Sequence, residues 1–376
     1  MSLMDGPQMS DDELESLLLE EEVRQGLRRR AATREVMRRE RIEQSERRDA
    51  VQRLMPGGEF IFSEPDEIPA VWGTGERVLW AEGEGLMIAG SQGLGKTTIA
   101  QQLVLSRIAI REGRMLGLPV QQSPGRVLYL AMDRPRQAAR SFKRMVEPSH
   151  HERLNERVIV WRGPLPVSVL ESPQALADWV QEVDPAIDLV VVDSVKDLAP
   201  GLSSDEVGAG LNSAWQELIA RGIQLLLLHH ERKNGNGQPS RAAALDDIYG
   251  STWLTSGLGS VVQIIGKREE PTVTLHHLKA PAEFVGPLTV EHDHAAGTST
   301  LLITYRTVEE FLQTHFGEAF TAKECGEAVN KGEKAARAEV KRLVEQGSVI
   351  ETAPAGLTSA GRTAAKYQWR FGAVSA

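Results

Sequence analysis

One stretch of the sequence decides the fold: Gly90-Ser91-Gln92-Gly93-Leu94-Gly95-Lys96-Thr97. It fits the pattern G-x-x-x-x-G-K-[ST] at every fixed position. The apolar run at residues 86–89 predicts a buried strand before it, and residues 97–108 predict a helix after it. In such a unit the backbone N–H groups converge on phosphate groups at the positive end of the helix. The alternative is a glycine-rich turn that carries a Lys-Thr pair by chance.

The same stretch predicts a site for ATP and Mg²⁺. Lys96 is expected to neutralise charge on the β- and γ-phosphates, and Thr97 to bind Mg²⁺ through its hydroxyl group. The predicted nucleotide-binding residues are Gly90, Ser91, Gln92, Gly93, Leu94, Gly95, Lys96, Thr97 and Thr98.

Two aspartates follow other apolar runs. Asp193 ends residues 187–193, and a strand there would deliver it to the carboxyl edge of the sheet, where ligands of open α/β sheets bind. It is the second predicted Mg²⁺ ligand, and the alternative is a helix cap. Asp133 follows residues 127–131 and is the candidate to orient the attacking water. Its alternative is also a helix N-cap, before Arg134-Pro135.

The apolar runs around these motifs predict an α/β core. Strands are expected at residues 86–89, 127–131, 158–161, 189–192, 223–228, 261–265 and 272–278. The first five runs are typical of parallel strands buried on both faces, with crossover helices between them. The last two alternate more and favour an antiparallel extension at one edge.

Composition places these motifs in a soluble, cytoplasmic protein. The chain has 376 residues, 41% of them hydrophobic, which is enough for a large core and a small satellite. One cysteine, Cys325, excludes a disulfide framework. No apolar stretch is long enough for a membrane span. The net charge of −9 means that any contact with DNA must be local.

The strand at residues 223–228 ends in His229-His230-Glu231, and a polar residue here would sense the γ-phosphate and pass its state to the loop that follows. Metal binding by the two histidines is disfavoured, because adjacent residues of a strand point to opposite faces.

With these strand ends in place, the chain resembles the RecA-like ATPases, and within them the plasmid-type RepA hexameric replicative helicases. The likeness covers residues 59–305 and is closest to a subgroup from actinobacterial phages, plasmids and integrated elements. The runs that carry it are residues 90–102, 128–135, 192–198, 228–233, 249–257 and 277–287.

The resemblance implies further roles. His229 matches the γ-phosphate sensor, and Asp133 stands where the family places a catalytic glutamate. Residues 231–252, with Arg232, Lys233 and Arg241, resemble the loop that meets DNA in the channel of a ring, where Tyr249 and Trp253 would stack on bases or serve packing. Lys279 resembles the basic finger that enters the next subunit's site, and its alternative is a surface lysine.

The C-terminal segment predicts a winged-helix domain. Helices are expected at residues 307–315, 321–330 and 333–346, and strands at 349–351 and 367–369. Lys334, Arg337 and Lys341 lie on one face of the third helix, and residues 331–370 hold eight Lys/Arg against four Glu. This pattern favours phosphate contacts, and a protein-binding winged helix is the alternative.

The predicted organisation has three parts: a charged helical arm (1–58), a RecA-like ATPase core (59–306) and the winged helix (307–376). The arm would pack on a neighbouring subunit or be an exposed helix. The resemblance implies a homo-oligomeric ring, a hexamer, with single-stranded DNA and a primase or other replication protein as partners and without membrane association. An ATP-gated loader and a DNA-binding regulator are the alternatives.

Overall fold

The computed structural model describes residues 54–232, 243–268, 270–302, 305, 307–315, 318–329, 331–354, 356–358 and 361–370. The chain divides into two units, residues 1–66 and 67–376. In the first unit the described residues form one short helix, α1 (Gly57–Phe62), whose side chains are exposed. The predicted arm lies outside the described residues up to residue 53.

Strands and helices alternate through residues 67–302. The strands are β1 (Ala70–Thr74), β2 (Arg77–Ala81), β3 (Gly85–Gly90), β4 (Arg114–Met115), β5 (Leu118–Pro119), β6 (Arg126–Ala131), β7 (Val158–Arg162), β8 (Ile187–Asp193), β9 (Gln224–His229), β10 (Ser260–Gly266), β11 (Thr272–Lys279), β12 (Leu288–Asp293) and β13 (Thr298–Leu301). The helices are α2 (Lys96–Arg107), α3 (Pro135–Met145), α4 (His151–Arg157), α5 (Gln174–Val183), α6 (Asp205–Ala220) and α7 (Trp253–Ser256). Across the described parts of the chain, no helix is long and apolar enough to span a membrane.

Nine of these strands form one sheet, in the order β13-β12-β11-β10-β3-β9-β8-β6-β7. The six strands from β10 to β7 run parallel, and β11, β12 and β13 add antiparallel pairs at one edge. The predicted α/β fold with a mostly parallel central sheet is therefore confirmed.

Two details of the strand prediction were wrong. The strand β10 belongs to the parallel part, because it pairs parallel with β3. The strand β7 is an edge strand with partly exposed side chains, although its Val- and Ile-rich sequence predicted burial on both faces. The position of a strand in the sheet, and not its local sequence, decides the direction of pairing for β10 and the exposure of β7.

The central strands are buried on both faces. Leu86 and Ile88 of β3 face a core built with α2, α3 and α4, whereas Met87 and Ala89 face a core built with α5 and α6. Successive side chains of a strand point to opposite faces, so a continuous apolar run supplies both cores. The sheet is packed between two helical layers, which position the strand ends that carry the predicted site.

The C-terminal segment has its own core. Its elements are α8 (Val308–Thr314), β14 (Phe320–Thr321), α9 (Ala322–Ala328), α10 (Glu333–Glu345), β15 (Val349–Ala353), β16 (Gly356–Thr358), β17 (Gly361–Thr363) and β18 (Lys366–Trp369). Three strands form an antiparallel sheet in the order β14-β18-β15, and β16 pairs with β17 between them. Thr321 begins α9 with a capping box to Glu324, and Leu312, Cys325 and Leu343 are fully buried beneath the sheet and helices.

Candidate nucleotide site

The predicted phosphate loop connects β3 to α2, and its glycines are required by close neighbours. Gly95 has a φ of 84°, and a Cβ added there would lie 2.3 Å from Cε1 of His292. Gly90 has a φ of 154°, and a Cβ there would lie 2.7 Å from the carbonyl oxygen of Ile264. Any larger residue would push the loop away from β10 and β12, so the loop conformation depends on both strands.

Lys96 is the first residue of α2, and its side chain turns back onto the loop. Its Nζ donates to the carbonyl oxygens of Gly90 (2.7 Å) and Ser91 (2.8 Å). Burial lowers the pKa of Lys96 to about 8, against the opposing attraction of Asp193 and Glu231. An ammonium group has three N–H donors, so one remains for a phosphate oxygen.

The hydroxyl group and the carboxylate predicted to bind Mg²⁺ are adjacent. Thr97 Oγ1 donates to Oδ2 of Asp193 at 3.2 Å, and the hydroxyl of Tyr129 donates to the same oxygen at 2.7 Å. Burial raises the pKa of Asp193, and these two hydrogen bonds oppose the rise. One carboxylate and one hydroxyl fit Mg²⁺, which prefers oxygen ligands and takes the remainder from phosphates and water. No cluster of three His, Cys, Asp or Glu side chains suitable for a metal occurs among the described residues.

Asp133 also reaches the site, but two cations hold it. Its Oδ2 lies 3.4 Å from Nζ of Lys196 and 3.6 Å from Nε of Arg134. Sequence reasoning missed Lys196, although the register offers a signal: Ala131 pairs with Asp193, so the residues that follow the two strands meet. The carboxylate is therefore present at the predicted edge and already paired.

The two histidines after β9 differ in position. His229, the predicted sensor, is fully buried, and its Nε2 donates to the carbonyl oxygen of Tyr249 at 2.6 Å. His230 lines the cleft instead. Burial lowers the pKa of both rings to about 4, so both are neutral at pH 7. Adjacent side chains along a strand point to opposite faces, so only one of the two histidines, His230, lines the cleft.

The cleft itself has a volume of about 320 Å³ and a wall that sequence reasoning missed. The hairpin β12–β13 supplies this wall opposite α3. His292 donates from Nε2 to the carbonyl oxygen of Leu94 at 3.1 Å, and its Nδ1 lies 2.7 Å from the hydroxyl of Ser299. Arg144 of α3 donates to the carbonyl oxygen of His294 at 3.0 Å. Of the predicted residues, those lining the cleft are Gln92, Gly93, Gly95, Lys96, Thr97, Thr98, Asp133 and Asp193.

Lys279 lies away from this cleft. It pairs with Val261, which pairs with Met87, three residues before the end of β3 at Gly90. That offset is about 10 Å along the strand. The ammonium group donates to the carbonyl oxygen of Ser256 at 2.7 Å, at the opposite edge of the sheet from the loop. The structure does not bring Lys279 together with the phosphate loop of its own chain.

The predicted DNA-binding loop is described only at its two ends. Arg232 is exposed, and its guanidinium donates to the carbonyl oxygen of Gly250 at 3.3 Å. Lys233 and Arg241 lie outside the described residues. Tyr249 and Trp253 are both exposed, by 40% and 46%, so neither is a core residue.

The basic face of α10 is partly neutralised by the same helix. Arg337 forms an ion pair with Glu333 at 2.5 Å, and Lys341 lies 3.8 Å from Glu345. Lys334 is exposed. Exposed pairs of this kind contribute little to stability, and Glu333 and Glu345 are already counted in the excess of eight Lys/Arg over four Glu, so the pairs leave that excess unchanged.

The comparison with protein families supports the phosphate site. Residues 59–236 match a family model described as an AAA domain. The matched region includes the phosphate loop and the strands β3, β6, β8 and β9 that carry the site. No curated protein matches the chain. The fold, the loop geometry and this match together define a P-loop ATPase domain.

Proposed function

We propose that this protein is a ring-forming, ATP-driven motor of the RecA type that translocates on single-stranded DNA, as a replicative helicase of a mobile element. The AAA-domain match supports the ATPase class, and the resemblance to RepA-type hexameric helicases supports the motor. The position of Lys279 carries the proposal, because this predicted finger is remote from its own cleft.

Hydrolysis would use the residues gathered at the cleft. Lys96 would give its third N–H to the γ-phosphate, while Thr97 and Asp193 hold Mg²⁺. Bound Mg²⁺ would neutralise charge that develops on the β- and γ-oxygens. Asp133 would orient the attacking water once Lys196 and Arg134 release its carboxylate.

Ring formation would complete the site. A cation that stabilises the transition state must reach the γ-phosphate, and Lys279 cannot do so from the opposite edge of the sheet. In a head-to-tail ring, two different surfaces of neighbouring subunits meet, and the edge that holds Lys279 would face the cleft of the next subunit. Lys279 would then be supplied in trans, and hydrolysis would depend on assembly.

DNA would contact the surface that holds Arg232, Tyr249 and Trp253. An arginine and two exposed aromatic rings suit a single strand, because phosphates bind cations and bases stack on rings. The C-terminal segment would be a winged-helix domain, with its three helices and three-stranded sheet. Its Lys334, Arg337 and Lys341 face would contact DNA or a replication protein such as a primase.

Two features of Asp133 favour a second candidate, an ATP-gated loader or DNA-binding replication regulator without motor activity. Asp133 is shorter than the glutamate that the resembled family uses, and its carboxylate is paired with two cations. Both features would slow hydrolysis, as suits a switch that holds ATP.

The test is the ATPase rate with and without single-stranded DNA, with the mass of the protein measured in ATP. A motor should hydrolyse faster on DNA, assemble into a ring and unwind a forked duplex alone. A loader should bind ATP and assemble but leave the fork intact. A monomer whose hydrolysis ignores DNA would contradict both.

A further inference from the structure

The phosphate loop contacts a carboxylate that the proposed chemistry does not use. The hydroxyl of Ser91, the second residue of the loop, donates to Oε1 of Glu231. Glu231 is only 9% exposed and is close enough to attract the ammonium group of Lys96. Burying a carboxylate is costly unless it is hydrogen-bonded and paired with a cation, so Glu231 depends on the Ser91 hydroxyl and the Lys96 charge of the phosphate loop.

The second carboxylate oxygen of Glu231 is hydrogen-bonded to a residue of the central sheet. Gln263 of β10 is fully buried, and its Nε2 donates to Oε2 of Glu231 at 3.3 Å. Its Oε1 accepts from the backbone N–H of Ala244 at 3.2 Å. One side chain therefore joins the Glu231 carboxylate to the backbone of residue 244.

The backbone of Glu231 is joined to the same region. Glu231 forms an antiparallel bridge with Ile248. The N–H of Arg232 donates to the backbone carbonyl oxygen of Asp247 at 2.6 Å, and the N–H of Tyr249 donates to the carbonyl oxygen of His230 at 3.1 Å. We name residues 230–232 and 247–249 the crossed pair. This pair carries Arg232 and Tyr249, two of the residues proposed to meet DNA.

We infer that Glu231 is a positioning residue that transmits occupancy of the γ-phosphate position from the phosphate loop to the crossed pair. The inference rests on the proposed function, because it requires ATP at the loop. The residue that links the cleft to the DNA surface is then Glu231, whose carboxylate accepts from Ser91, and not His229 or His230.

The physical basis is competition for one cation. In the structure, the carboxylates of Glu231 and Asp193 both attract the ammonium group of Lys96. A γ-phosphate would bind the same ammonium group and repel the Glu231 carboxylate in a buried setting, where charges interact strongly. Repulsion would weaken the Ser91–Glu231 contact. Displacement of Glu231 would loosen its bridge to Ile248 in the crossed pair and its hydrogen bond from Gln263.

The test is amide hydrogen exchange with and without the Mg²⁺ complex of a non-hydrolysable ATP analogue. Nucleotide binding is measured in parallel by calorimetry. In the unmodified protein the amides of Arg232 and Tyr249 should exchange about fivefold faster or more with the analogue, the lower end of typical coupling. Glu231→Gln keeps the shape and loses the charge, so it should bind the analogue and show less than about a twofold change.

Two further variants distinguish a role of Glu231 in transmitting nucleotide binding from a purely structural role. Gln263→Met removes the link to Ala244, so the exchange response at residue 244 should shrink while that of Arg232 remains. Glu182→Gln, an exposed site on α5, is the matched control and should respond like the unmodified protein.

The outcomes are distinct. A full response in Glu231→Gln, or an unmodified protein that binds the analogue with no exchange change, would overturn the inference and leave the ATPase proposal standing. A protein that does not bind the analogue at all would overturn both.

Discussion

The hydroxyl group of Thr97 lies 3.2 Å from the carboxylate of Asp193, which joins the start of α2 to the end of β8. The two residues are far apart in sequence and meet because β3 and β8 are parallel strands separated only by β9. Parallel strands present their carboxyl ends at one edge, so the contact follows from topology.

Replacing Lys96 with alanine should abolish turnover. The lysine's charge is needed in the transition state, and losing one such group costs about 100-fold or more in kcat. Steady-state ATPase rates would measure the loss. Lys143→Ala, an exposed lysine on α3, should keep normal rates as the control. Near-normal hydrolysis by Lys96→Ala would remove the site assignment.

Nucleotide affinity should fall at alkaline pH. Burial lowers the pKa of Lys96 from 10.5 to about 8, and a bound phosphate would raise it again by attraction. The protonated lysine binds better, so affinity should be constant between pH 7 and the pKa and then weaken about tenfold per pH unit above it. Titrations from pH 7 to 9.5 would measure this. Lys96→Arg keeps its charge throughout, so a similar decline in that variant would assign the pH effect elsewhere.

Contacts between segments that are distant in sequence explain why only part of the fold could be predicted. The run before the phosphate loop is buried on both faces and is legible in the sequence. The burial of β10 on both faces is not legible in the same way. Gln263 interrupts its apolar run and suggests an alternation of buried and exposed residues. Gln263 is buried with partners on Glu231 and Ala244, which are distant in sequence. A polar residue satisfied by tertiary contacts cannot be distinguished locally from one that faces water.

The same limit applies to the site. The phosphate loop and Asp193 are adjacent to strands that their own sequences reveal, so both were found. The contact of His292 with Leu94 depends on how the β12–β13 hairpin folds over the loop, and nothing near residue 292 indicates it. Lys196 reaches Asp133 because β6 and β8 are neighbours, which is a property of the sheet and not of either segment.

Replacing Asp133 with asparagine should lower kcat by about 100-fold, the lower range for a positioned base, and leave ATP affinity nearly unchanged. The side chain keeps its size and loses the ability to accept a proton. Single-turnover hydrolysis and equilibrium binding would separate the two effects. An unchanged kcat would mean that another group orients the water; the N-cap of α3 is Arg134 and no side chain caps this helix, so Asp133 is not its cap either.

Replacing Lys279 with alanine should lower kcat by about 1,000-fold, the lower end of the range for cations supplied in trans, with nucleotide affinity in isolated protomers nearly intact. Lys267→Ala, an exposed lysine paired with Glu270 on the neighbouring turn, is the control. Equal loss of kcat and protomer affinity would mean that Lys279 acts within its own chain, against its position at the opposite edge of the sheet.

Mixing inactive variants tests the shared site directly. Lys96→Ala lacks the lysine of the cleft, and Lys279→Ala lacks the proposed finger. If neighbouring subunits share each site, some interfaces in mixed rings will pair an intact Lys96 with an intact Lys279, and activity will return. If both lysines served the same chain, no interface could recover, and the mixture would stay as inactive as its parts. Recovery that rises and falls with the mixing ratio would therefore establish that the cleft is completed across an interface, which a single protomer cannot provide.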